Sequence, residues 1–225
     1  MCRPFSQAAD PLPPLPQPLL RHNNHHALDN RRRFRAAGVR VINLLSAPGS
    51  GKTALLDAMA LAWGANLRMA VLVGDQATDR DARRLRSCGL EAIAISTGRL
   101  CHLEAARVAE AIDQLRLREL DLLVIENVGN LVCPAAYDLG EDQRVVMLAI
   151  GEGEDKPLKY PDIFQSADGV VINKLDLLAA VGDDLETTRR HIARVAPRAW
   201  TVALSARRGD NLEALHQALN LSALA

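Results

Sequence analysis

Apolar residues along the chain fall into two alternating patterns from residue 41 onward. Short, nearly unbroken apolar runs, typical of buried strands, stand at residues 41–45, 69–73, 92–95, 122–125, 145–150, 170–172 and 200–204. Stretches with apolar residues at helical spacing stand between or after them, at residues 54–61, 79–86, 103–116, 185–194 and 212–219. Strands without a polar face, separated by amphipathic helices, predict an α/β fold with a mostly parallel sheet flanked by helices.

The first 35 residues follow neither pattern. Six prolines fall within them, at positions 4, 11, 13, 14, 16 and 18. Because proline-rich segments make a poor core, we expect residues 1–35 to form a disordered tail and residues 36–225 to form one domain. The tail carries His22, His25 and His26, which either bind a metal ion weakly or belong to a solvated linker.

Composition narrows the class of protein. A chain of 225 residues, 48% of them hydrophobic, suits one well-buried domain. Lys and Arg together number 27, as do Asp and Glu, so no net charge attracts nucleic acid. No apolar run approaches the ~20 residues of a membrane span, and the N-terminus lacks the pattern of a secretory signal. We therefore expect a cytoplasmic protein whose cysteines, Cys2, Cys88, Cys101 and Cys133, are thiols or metal ligands.

Residues 46–53 read Ser-Ala-Pro-Gly-Ser-Gly-Lys-Thr, between the first predicted strand and the first predicted helix. Such a loop points backbone N–H groups at phosphate oxygens, and the helix N-terminus adds partial positive charge. Lys52 would reach the outer phosphates, and the Thr53 hydroxyl would bind Mg²⁺. The loop departs from the usual pattern at Ser46, where glycine is common. The predicted phosphate-binding residues are Gly49, Ser50, Gly51, Lys52, Thr53 and Ala54.

Residues 173–176, Asn-Lys-Leu-Asp, follow the sixth apolar run. They therefore stand at the carboxyl end of a strand, where open α/β sheets bind ligands. The Asp176 carboxylate can accept two hydrogen bonds from a guanine edge, which adenine does not offer. After the last run, a backbone N–H near Ser205 could meet the guanine oxygen. We predict GTP or GDP as the nucleotide, with base-site residues Asn173, Lys174, Asp176, Ser205 and Ala206.

Acidic residues follow two further predicted strands. Asp75 and Glu126 either hold Mg²⁺, directly or through water, or are helix caps or solvated loop acids. Asp79 and Asp81 follow shortly after Asp75, and one of them could position the attacking water. Capping of the next helix is an equally good role for Asp79. The predicted catalytic residues are Lys52, Asp75 and Asp79, and the predicted Mg²⁺ ligands are Thr53, Asp75 and Glu126.

A second set of residues has the chemistry of a transition-metal site. Cys101 and His102 are adjacent, and Cys133 follows Glu126 by seven residues. Two thiolates and an imidazole are soft donors that suit Zn²⁺ or Ni²⁺. Three ligands do not complete a tetrahedral site, so water or a second protomer would supply the rest. The alternative is that each cysteine is a small buried apolar residue.

Three longer stretches resemble one known family. They are Thr-Gly-Arg-Leu-Cys-His at 97–102, Ile-Glu-Asn-Val-Gly-Asn-Leu-Val-Cys-Pro at 125–134 and Glu-Gly-Glu-Asp-Lys-Pro-Leu-Lys-Tyr-Pro at 152–161. Together with Gly-Asp-Gln at 74–76, they closely resemble the GTPases that deliver nickel during [NiFe]-hydrogenase maturation. These are P-loop GTPases of the SIMIBI class. The resemblance extends over residues 39–219.

The resemblance implies a protein that dimerises on binding GTP. It also implies that Cys101, His102 and Cys133 bind Ni²⁺, with Zn²⁺ as a competitor, near the dimer interface. The hydrogenase large subunit and other nickel-insertion accessory proteins would be partners. Ser46 is ordinary in this family. Some members carry an N-terminal Cys-x-x-Cys-Gly-Cys nickel motif or a long His-rich stretch, whereas Cys2 is the only thiol at this N-terminus, so a tight nickel site is not expected there.

The predicted function is therefore a GTP-hydrolysing metallochaperone that inserts nickel into hydrogenase. The related GTPase of urease maturation resembles this chain less, because it places Cys-Pro-His at its metal site whereas Cys101 and His102 are adjacent here. A cobalamin-enzyme chaperone would not need the Cys/His set, and a nickel-binding or storage protein would not need Asp176. Lys156 and Lys159 either stabilise phosphates, in cis or across a dimer, or form surface salt bridges.

Overall fold

The computed structural model of the protein describes residues 17–76 and 78–221, with side chains from residue 20 onward. The strands are β1 (Arg40–Ser46), β2 (Met69–Asp75), β3 (Glu91–Ser96), β4 (Leu122–Glu126), β5 (Gln143–Ala149), β6 (Gly169–Asn173) and β7 (Trp200–Ala203). The helices are α1 (Gln17–Ala37), α2 (Lys52–Trp63), α3 (Arg80–Ser87), α4 (Ala105–Ile112), α5 (Lys156–Lys159), α6 (Pro161–Gln165), α7 (Leu178–Val181), α8 (Leu185–Val195) and α9 (Leu212–Ala218). Short 3-10 turns lie at Leu117–Glu119, Cys133–Ala136 and Leu175–Leu177.

All of these strands lie in one parallel sheet, in the order β3-β2-β4-β1-β5-β6-β7. The chain winds from β1 toward one edge of the sheet, returns beside β1 as β4, and then winds toward the other edge. In register, Leu44 of β1 pairs with Glu126 on one side and Val145 on the other. Because the winding direction reverses at β1, ligands are expected in the crevice at the carboxyl end of this strand.

Both faces of the sheet are covered by helices. In β1, Ile42 and Leu44 face α2, α3 and α9. Val41 and Leu45 face the opposite side, which α1 and α4 cover at one end of the strand order and α6 and α8 at the other. Asn43 alternates with these two residues on the same face and is fully buried between the two apolar clusters. Burial on both faces explains why the strands are almost continuously apolar in sequence.

The prediction of a disordered tail up to residue 35 is wrong for residues 17–35. They belong to α1, which packs against α4 and buries Ala27 and Phe34. Leu20, Ala27 and Phe34 recur every seven residues and give the helix one apolar stripe. Pro18 lies in the first helical turn, where proline is tolerated because no N–H is needed there. Residues 1–16 of the predicted tail lie outside the described residues.

The remaining elements agree closely with the pattern of apolar residues. Every predicted strand is present, with boundaries shifted by at most two residues. Helix α4 is shorter than predicted, because i→i−3 bonds from Gln114 and Leu115 tighten the chain into a turn after Ile112. Within the described residues, no helix combines the length and the apolar character needed to cross a membrane.

Candidate nucleotide and metal site

Four strands end in polar residues that the sequence analysis places in or beside the predicted nucleotide site. Ser46, Asp75, Glu126 and Asn173 are the last residues of β1, β2, β4 and β6. The parallel sheet brings these ends to a single edge. A cavity of about 430 Å³ opens there, and the loop after β1 and the start of α2 form one of its walls.

The loop of residues 46–53 leads directly into α2, as a phosphate-binding loop should. Gly51 caps the helix with a left-handed backbone, φ +98°. A Cβ at this position would lie only 2.7 Å from Asn173 Nδ2. Both the conformation and the close approach therefore require glycine. Lys52 and Thr53 begin the helix, so their side chains stand beside its positive N-terminal end.

Lys52 is buried, and its Nζ donates a hydrogen bond to Ser46 Oγ at 2.9 Å. Burial lowers the pKa of Lys52, although the nearby Glu126 carboxylate partly opposes this effect. The Ser46 hydroxyl thus accepts one of the three N–H donors of this buried ammonium. The unusual serine at the start of the loop has a defined contact that sequence reasoning missed.

Thr53 and Glu126 form the predicted Mg²⁺ corner. Thr53 Oγ1 donates to Glu126 Oε1 at 2.8 Å, and Glu126 is 4% exposed. Burial raises the pKa of Glu126 to about 7, although Lys52 lowers it. None of the described residues hydrogen-bonds to the buried Glu126 Oε2. An unsatisfied buried carboxylate oxygen beside a threonine hydroxyl fits a hard cation such as Mg²⁺. Asp75 lines the same cavity, and its Oδ1 accepts from Thr78 N at 3.1 Å.

Asp79 does not lie on the cavity wall in this conformation. It stands just before α3, and its carboxylate pairs with Arg83 at 2.8 Å. It occupies the cap position without a side-chain cap hydrogen bond. Asp81, two residues later, does line the cavity. The catalytic role of Asp79 stays a prediction.

The base-site residues meet beside the phosphate loop. Asn173 Nδ2 donates to Ser50 O at 2.9 Å, and Asn173 Oδ1 accepts from Ala206 N at 3.0 Å. Both ends of this amide are thus engaged by the protein, which suits a positioning residue rather than one that reads the base. Asp176 Oδ1 accepts from Ser205 Oγ at 2.5 Å, and this hydrogen bond lowers the pKa of Asp176. An ionised Asp176 remains available to a guanine edge.

Lys174 and Glu152 make further contacts to the phosphate loop. Lys174 Nζ donates to Gly49 O at 2.8 Å. Glu152 Oε1 accepts from Ser50 Oγ at 2.5 Å, and its Oε2 pairs with Lys156 at 2.7 Å. Glu152 was not among the predicted site residues, although it lies in one of the stretches that carry the resemblance.

The two lysines of that stretch are both paired. Lys156 pairs with Glu152, and Lys159 pairs with Asp155 at 2.8 Å. Both therefore form salt bridges in this conformation.

Gly129 brings the chain after β4 against the phosphate loop. A Cβ at Gly129 would lie 2.9 Å from the Cα of Pro48. The two backbones therefore touch with no side chain between them, and only glycine permits this approach.

Cys101, His102 and Cys133 form a compact cluster. One ligand atom from each lies within 4.8 Å of the others. Cys101 Sγ is 3.9 Å from His102 Nδ1, and the His102 ring stacks on Tyr137 with centroids 3.8 Å apart. Asn130 Oδ1 accepts from Cys133 N at 3.3 Å and so orders the turn that carries this thiol.

Burial favours the neutral forms of two of the donors, Cys133 and His102. Burial, reinforced by the neighbouring Cys101, raises the pKa of Cys133 to about 11, and burial lowers the pKa of His102. Across the described part of the chain, the buried His102 Nε2 has no hydrogen-bond partner. An imidazole and two thiols whose ligand atoms lie within 4.8 Å of one another fit a soft or borderline divalent cation. Cys88 is exposed and does not belong to the cluster, and Cys2 lies outside the described residues.

The histidines of the N-terminal segment lie on α1. The rings of His22 and His26 meet edge to face with centroids 4.8 Å apart, and His25 Nε2 lies 3.6 Å from Asp29 Oδ2. They are helical rather than part of a loose linker. Whether they bind metal stays an open prediction.

The sequence matches the model of one protein family, described as the CobW/HypB/UreG nucleotide-binding domain, over residues 40–203. The chain belongs to this family. The match includes the phosphate loop, both acidic strand ends and the Cys/His cluster. The described fold agrees with the expected parallel α/β architecture of a P-loop protein, so the predicted fold class is confirmed.

Within the CobW/HypB/UreG family, the similar curated proteins include the hydrogenase maturation factor HypB of Azotobacter chroococcum, 47% identical over 196 residues. The alignment covers 87% of this chain and 64% of that protein, so the chain spans just under two thirds of its length. The hydrogenase/urease maturation factor HypB of Helicobacter pylori is 39% identical over 87% of this chain and 81% of its own.

Two solved HypB structures superpose on the chain. HypB from Helicobacter pylori, crystallised in complex with nickel, matches with a TM-score of 0.83 and 37% identity over 90% of this chain and 94% of that one. HypB from Archaeoglobus fulgidus matches with a TM-score of 0.84 and 38% identity over 91% of this chain and 100% of that one. The predicted resemblance to the nickel-delivery GTPases of hydrogenase maturation is thereby confirmed at the level of the family.

Proposed function

We propose that this protein is a GTP-hydrolysing metallochaperone that inserts nickel during [NiFe]-hydrogenase maturation. One observation carries the proposal. Glu126, the last residue of β4, contacts Thr53 of the phosphate loop, and Cys133, in the segment that follows β4, belongs to the Cys/His cluster. A change at the phosphate site is therefore only seven residues of chain from a metal ligand. The nickel complex of the Helicobacter relative and the names of the curated relatives support the same function.

The nucleotide in this proposal is GTP. Asp176 would accept two hydrogen bonds from the guanine edge, while Asn173 keeps the phosphate loop and residue 206 in register. Lys52 would exchange Ser46 for a phosphate oxygen. An acidic residue near the cavity, Asp75 or Asp79, would orient the attacking water. Hydrolysis without a partner should be slow, on the order of 10⁻⁴ to 10⁻² per second.

Mg²⁺ would bind with the nucleotide. Thr53 Oγ1, the free Glu126 oxygen and Asp75 offer oxygen ligands on one side of the cavity. The bound cation would neutralise charge on the outer phosphates. Glu126 must be ionised for this role, and its contact to Thr53 holds the carboxylate toward the loop.

Ni²⁺ is the cargo in this proposal, and Cys101, His102 and Cys133 are its ligands. Zn²⁺ favours the same donors and would compete. Because three side chains leave coordination positions open, water or a second copy of the chain would complete the site. GTP-dependent dimerisation would then bring two such clusters together. The hydrogenase large subunit and other nickel-insertion accessory proteins are the proposed partners, in the cytoplasm.

The ordered domain in this proposal includes α1, because Asn23 accepts from Ala105 N at 2.8 Å and donates to Asp138 O at 2.7 Å. These bonds tie the helix to the chain segments that follow His102 and Cys133. The boundary predicted at residue 36 is therefore moved to the start of α1.

Urease maturation is the second candidate. The name of the Helicobacter pylori relative includes both hydrogenase and urease, so the donor set alone does not assign the target enzyme. Supplying nickel-loaded protein to metal-free hydrogenase large subunit and to metal-free urease would separate the two. Activation of the hydrogenase subunit alone is the expected result.

The decisive experiment measures Ni²⁺ and Zn²⁺ affinity with and without GTP·Mg²⁺, together with mass in each state. Wild type is compared with the variants Cys101→Ala and Cys133→Ala. Cys88→Ala is the matched control, because Cys88 is an exposed thiol outside the cluster. We expect metal binding to require both cluster cysteines, to be unchanged in the control, and to shift with nucleotide by about 5- to 150-fold.

By linkage, metal must then shift nucleotide affinity by the same factor. Equal metal affinity in the presence and absence of GTP would refute the coupled function while leaving a GTPase. Equal affinity in wild type and in both cysteine variants would refute the metal site. Metal binding without any guanine-nucleotide binding would favour a storage protein.

A further inference from the structure

A buried polar chain begins at the residue after Glu126. Asn127 Oδ1 accepts from Leu103 N at 3.3 Å, and Asn127 Nδ2 donates to Asn43 Oδ1 at 3.2 Å. Leu103 directly follows His102. One side chain thus joins the end of β4, at the Mg²⁺ corner, to the backbone beside a metal ligand.

The chain continues to the other metal-bearing segment. Asn43 Nδ2 donates to Glu141 Oε1 at 3.1 Å, and Arg144 Nε donates to the same oxygen at 2.7 Å. The two remaining Arg144 nitrogens donate to Ala135 O at 2.8 Å and Tyr137 O at 2.6 Å. Ala135 belongs to the turn that opens with Cys133, and Tyr137 is the residue whose ring stacks on His102.

Stability alone does not account for this arrangement. Asn43 and Asn127 are at most 1% exposed, and the Glu141 side chain is 4% exposed. Asn43 stands between two apolar clusters, where an apolar residue would pack. Desolvation of a buried ion pair usually offsets its Coulombic gain, whereas a satisfied polar network fixes one geometry. The arrangement is therefore better suited to specifying a spacing than to holding the fold.

We propose that the polar chain Asn127–Asn43–Glu141–Arg144 positions Cys101 and His102 relative to Cys133 and transmits the nucleotide state to that spacing. The second half of this statement rests on the proposed function. A movement at the end of β4 alters the bond to Leu103 N and the register of Asn43. The fork of Arg144 then shifts the turn that begins at Cys133. Asn43, Glu141 and Arg144 touch neither metal ligands nor the nucleotide cavity, so they are positioning residues.

The test uses two variants at the far end of the polar chain. In Arg144→Lys, one ammonium replaces the planar fork and cannot serve Glu141, Ala135 O and Tyr137 O together. In Glu141→Gln, the shape is kept but the charge is lost. Arg68→Lys is the matched control, because Arg68 forms a fork with Asp121 at the opposite end of the sheet. The full chain is used throughout, and each variant is first checked by thermal unfolding.

Two readouts are taken with NiCl₂. The first is the nickel affinity and the thiolate-to-nickel absorption band without nucleotide. The second is the ratio of nickel affinities with a non-hydrolysable GTP analogue and with GDP. We expect Arg144→Lys to weaken nickel binding about tenfold, to shift the band, and to reduce the ratio below about two. A third variant that combines Arg144→Lys with Glu141→Gln should bind nickel no more weakly than Arg144→Lys alone, since both residues act as one unit. GTP affinity should stay within about twofold of wild type.

The outcomes separate this proposal from the proposed function. If nickel affinity in wild type ignores nucleotide but Arg144→Lys still weakens binding and shifts the band, the coupling fails and the positioning role stands. If both variants fold and match wild type and Arg68→Lys in band, affinity and ratio, the polar chain has no such role. If Arg144→Lys does not fold, Glu141→Gln decides by the same measurements.

Discussion

Ser46 occupies a position where phosphate-binding loops usually have glycine. Its hydroxyl accepts a hydrogen bond from the Lys52 ammonium. In Ser46→Ala, this buried ammonium loses its acceptor, which costs about 1–3 kcal/mol of unfolding free energy. Saturating GTP·Mg²⁺ should remove most of the difference, because a phosphate oxygen replaces the hydroxyl. Urea unfolding with and without nucleotide measures both. The exposed Ser87→Ala is the control, and an equal loss in both conditions would contradict this account of Ser46.

In the proposed function, the choice of guanine nucleotide depends on Asp176. Its carboxylate is already oriented by Ser205 and can accept two hydrogen bonds. Asp176→Asn replaces an acceptor with a donor, so GTP affinity should fall about 100-fold. Xanthosine triphosphate carries a carbonyl where guanine has an amine. Its affinity for the variant should therefore fall less than that of GTP, or rise. Competition binding with both nucleotides measures the change, and unchanged preference would show that another group reads the base.

At the scale of elements, α1 is held to the domain by asparagines rather than by its apolar stripe alone. Asn30 is fully buried and donates to Ala105 O at 2.8 Å and Leu139 O at 3.1 Å. Asn30→Ala removes both of these buried hydrogen bonds and should lower the unfolding free energy by about 2 kcal/mol. Asn24→Ala, on the exposed face of the same helix, should change it by less than about 0.5 kcal/mol. Equal effects would mean that α1 is not docked through Asn30.

The starts of β2 and β4 are joined by an ion pair that titrates with acid. Hydrogen bonds from Arg68 to Asp121, the shortest at 2.6 Å, lower the pKa of Asp121. A lowered carboxyl pKa stabilises the fold above the unfolded pKa of about 3.9 and loses this effect as pH falls through the folded value. Arg68 is largely exposed, so solvent screening keeps the contribution of this ion pair to stability small.

Asp121→Asn should therefore destabilise the protein at pH 7, and the difference from wild type should shrink as pH falls below about 4. Denaturant titrations at a series of pH values measure it. The exposed Glu91→Gln is a charge-matched control that should show no such trend. A difference that grows on acidification would reverse the sign of the argument.

For the whole molecule, two exposed apolar side chains flank the metal cluster. Leu100 is 42% exposed and precedes Cys101, and Val132 is 40% exposed and precedes Cys133. If a second copy completes the metal site, these side chains become covered. Leu100→Ser with Val132→Ser should weaken nucleotide-dependent dimerisation about tenfold or more, without loss of monomer stability. Sedimentation with a GTP analogue measures this. Leu61→Ser, which alters a 90% exposed leucine on α2, is the control.

The sequence predicts the strands and the phosphate loop better than the polar contacts between distant residues and the N-terminal helix. Apolar runs and the Gly-Lys-Thr loop are local signals, so the strands, α2 and the gathering of Asp75 and Glu126 at one sheet edge could be predicted. The contacts of Glu152, Asn127 and Asn43 could not, because they join residues that are distant along the chain and that individually resemble ordinary polar residues. Helix α1 was missed because the prolines before residue 19 outweighed the seven-residue apolar spacing that follows them.

The loop that carries Gly129 lies so close to Pro48 of the phosphate loop that a methyl group does not fit between them. Gly129→Ala would act as a permanent wedge that holds the loops apart whatever nucleotide is bound. Such a variant would still have Lys52, Thr53 and Asp176, and it would still have every metal ligand. If the proposed coupling passes through this contact, the variant would bind nucleotide and metal but lose the dependence of metal affinity on nucleotide.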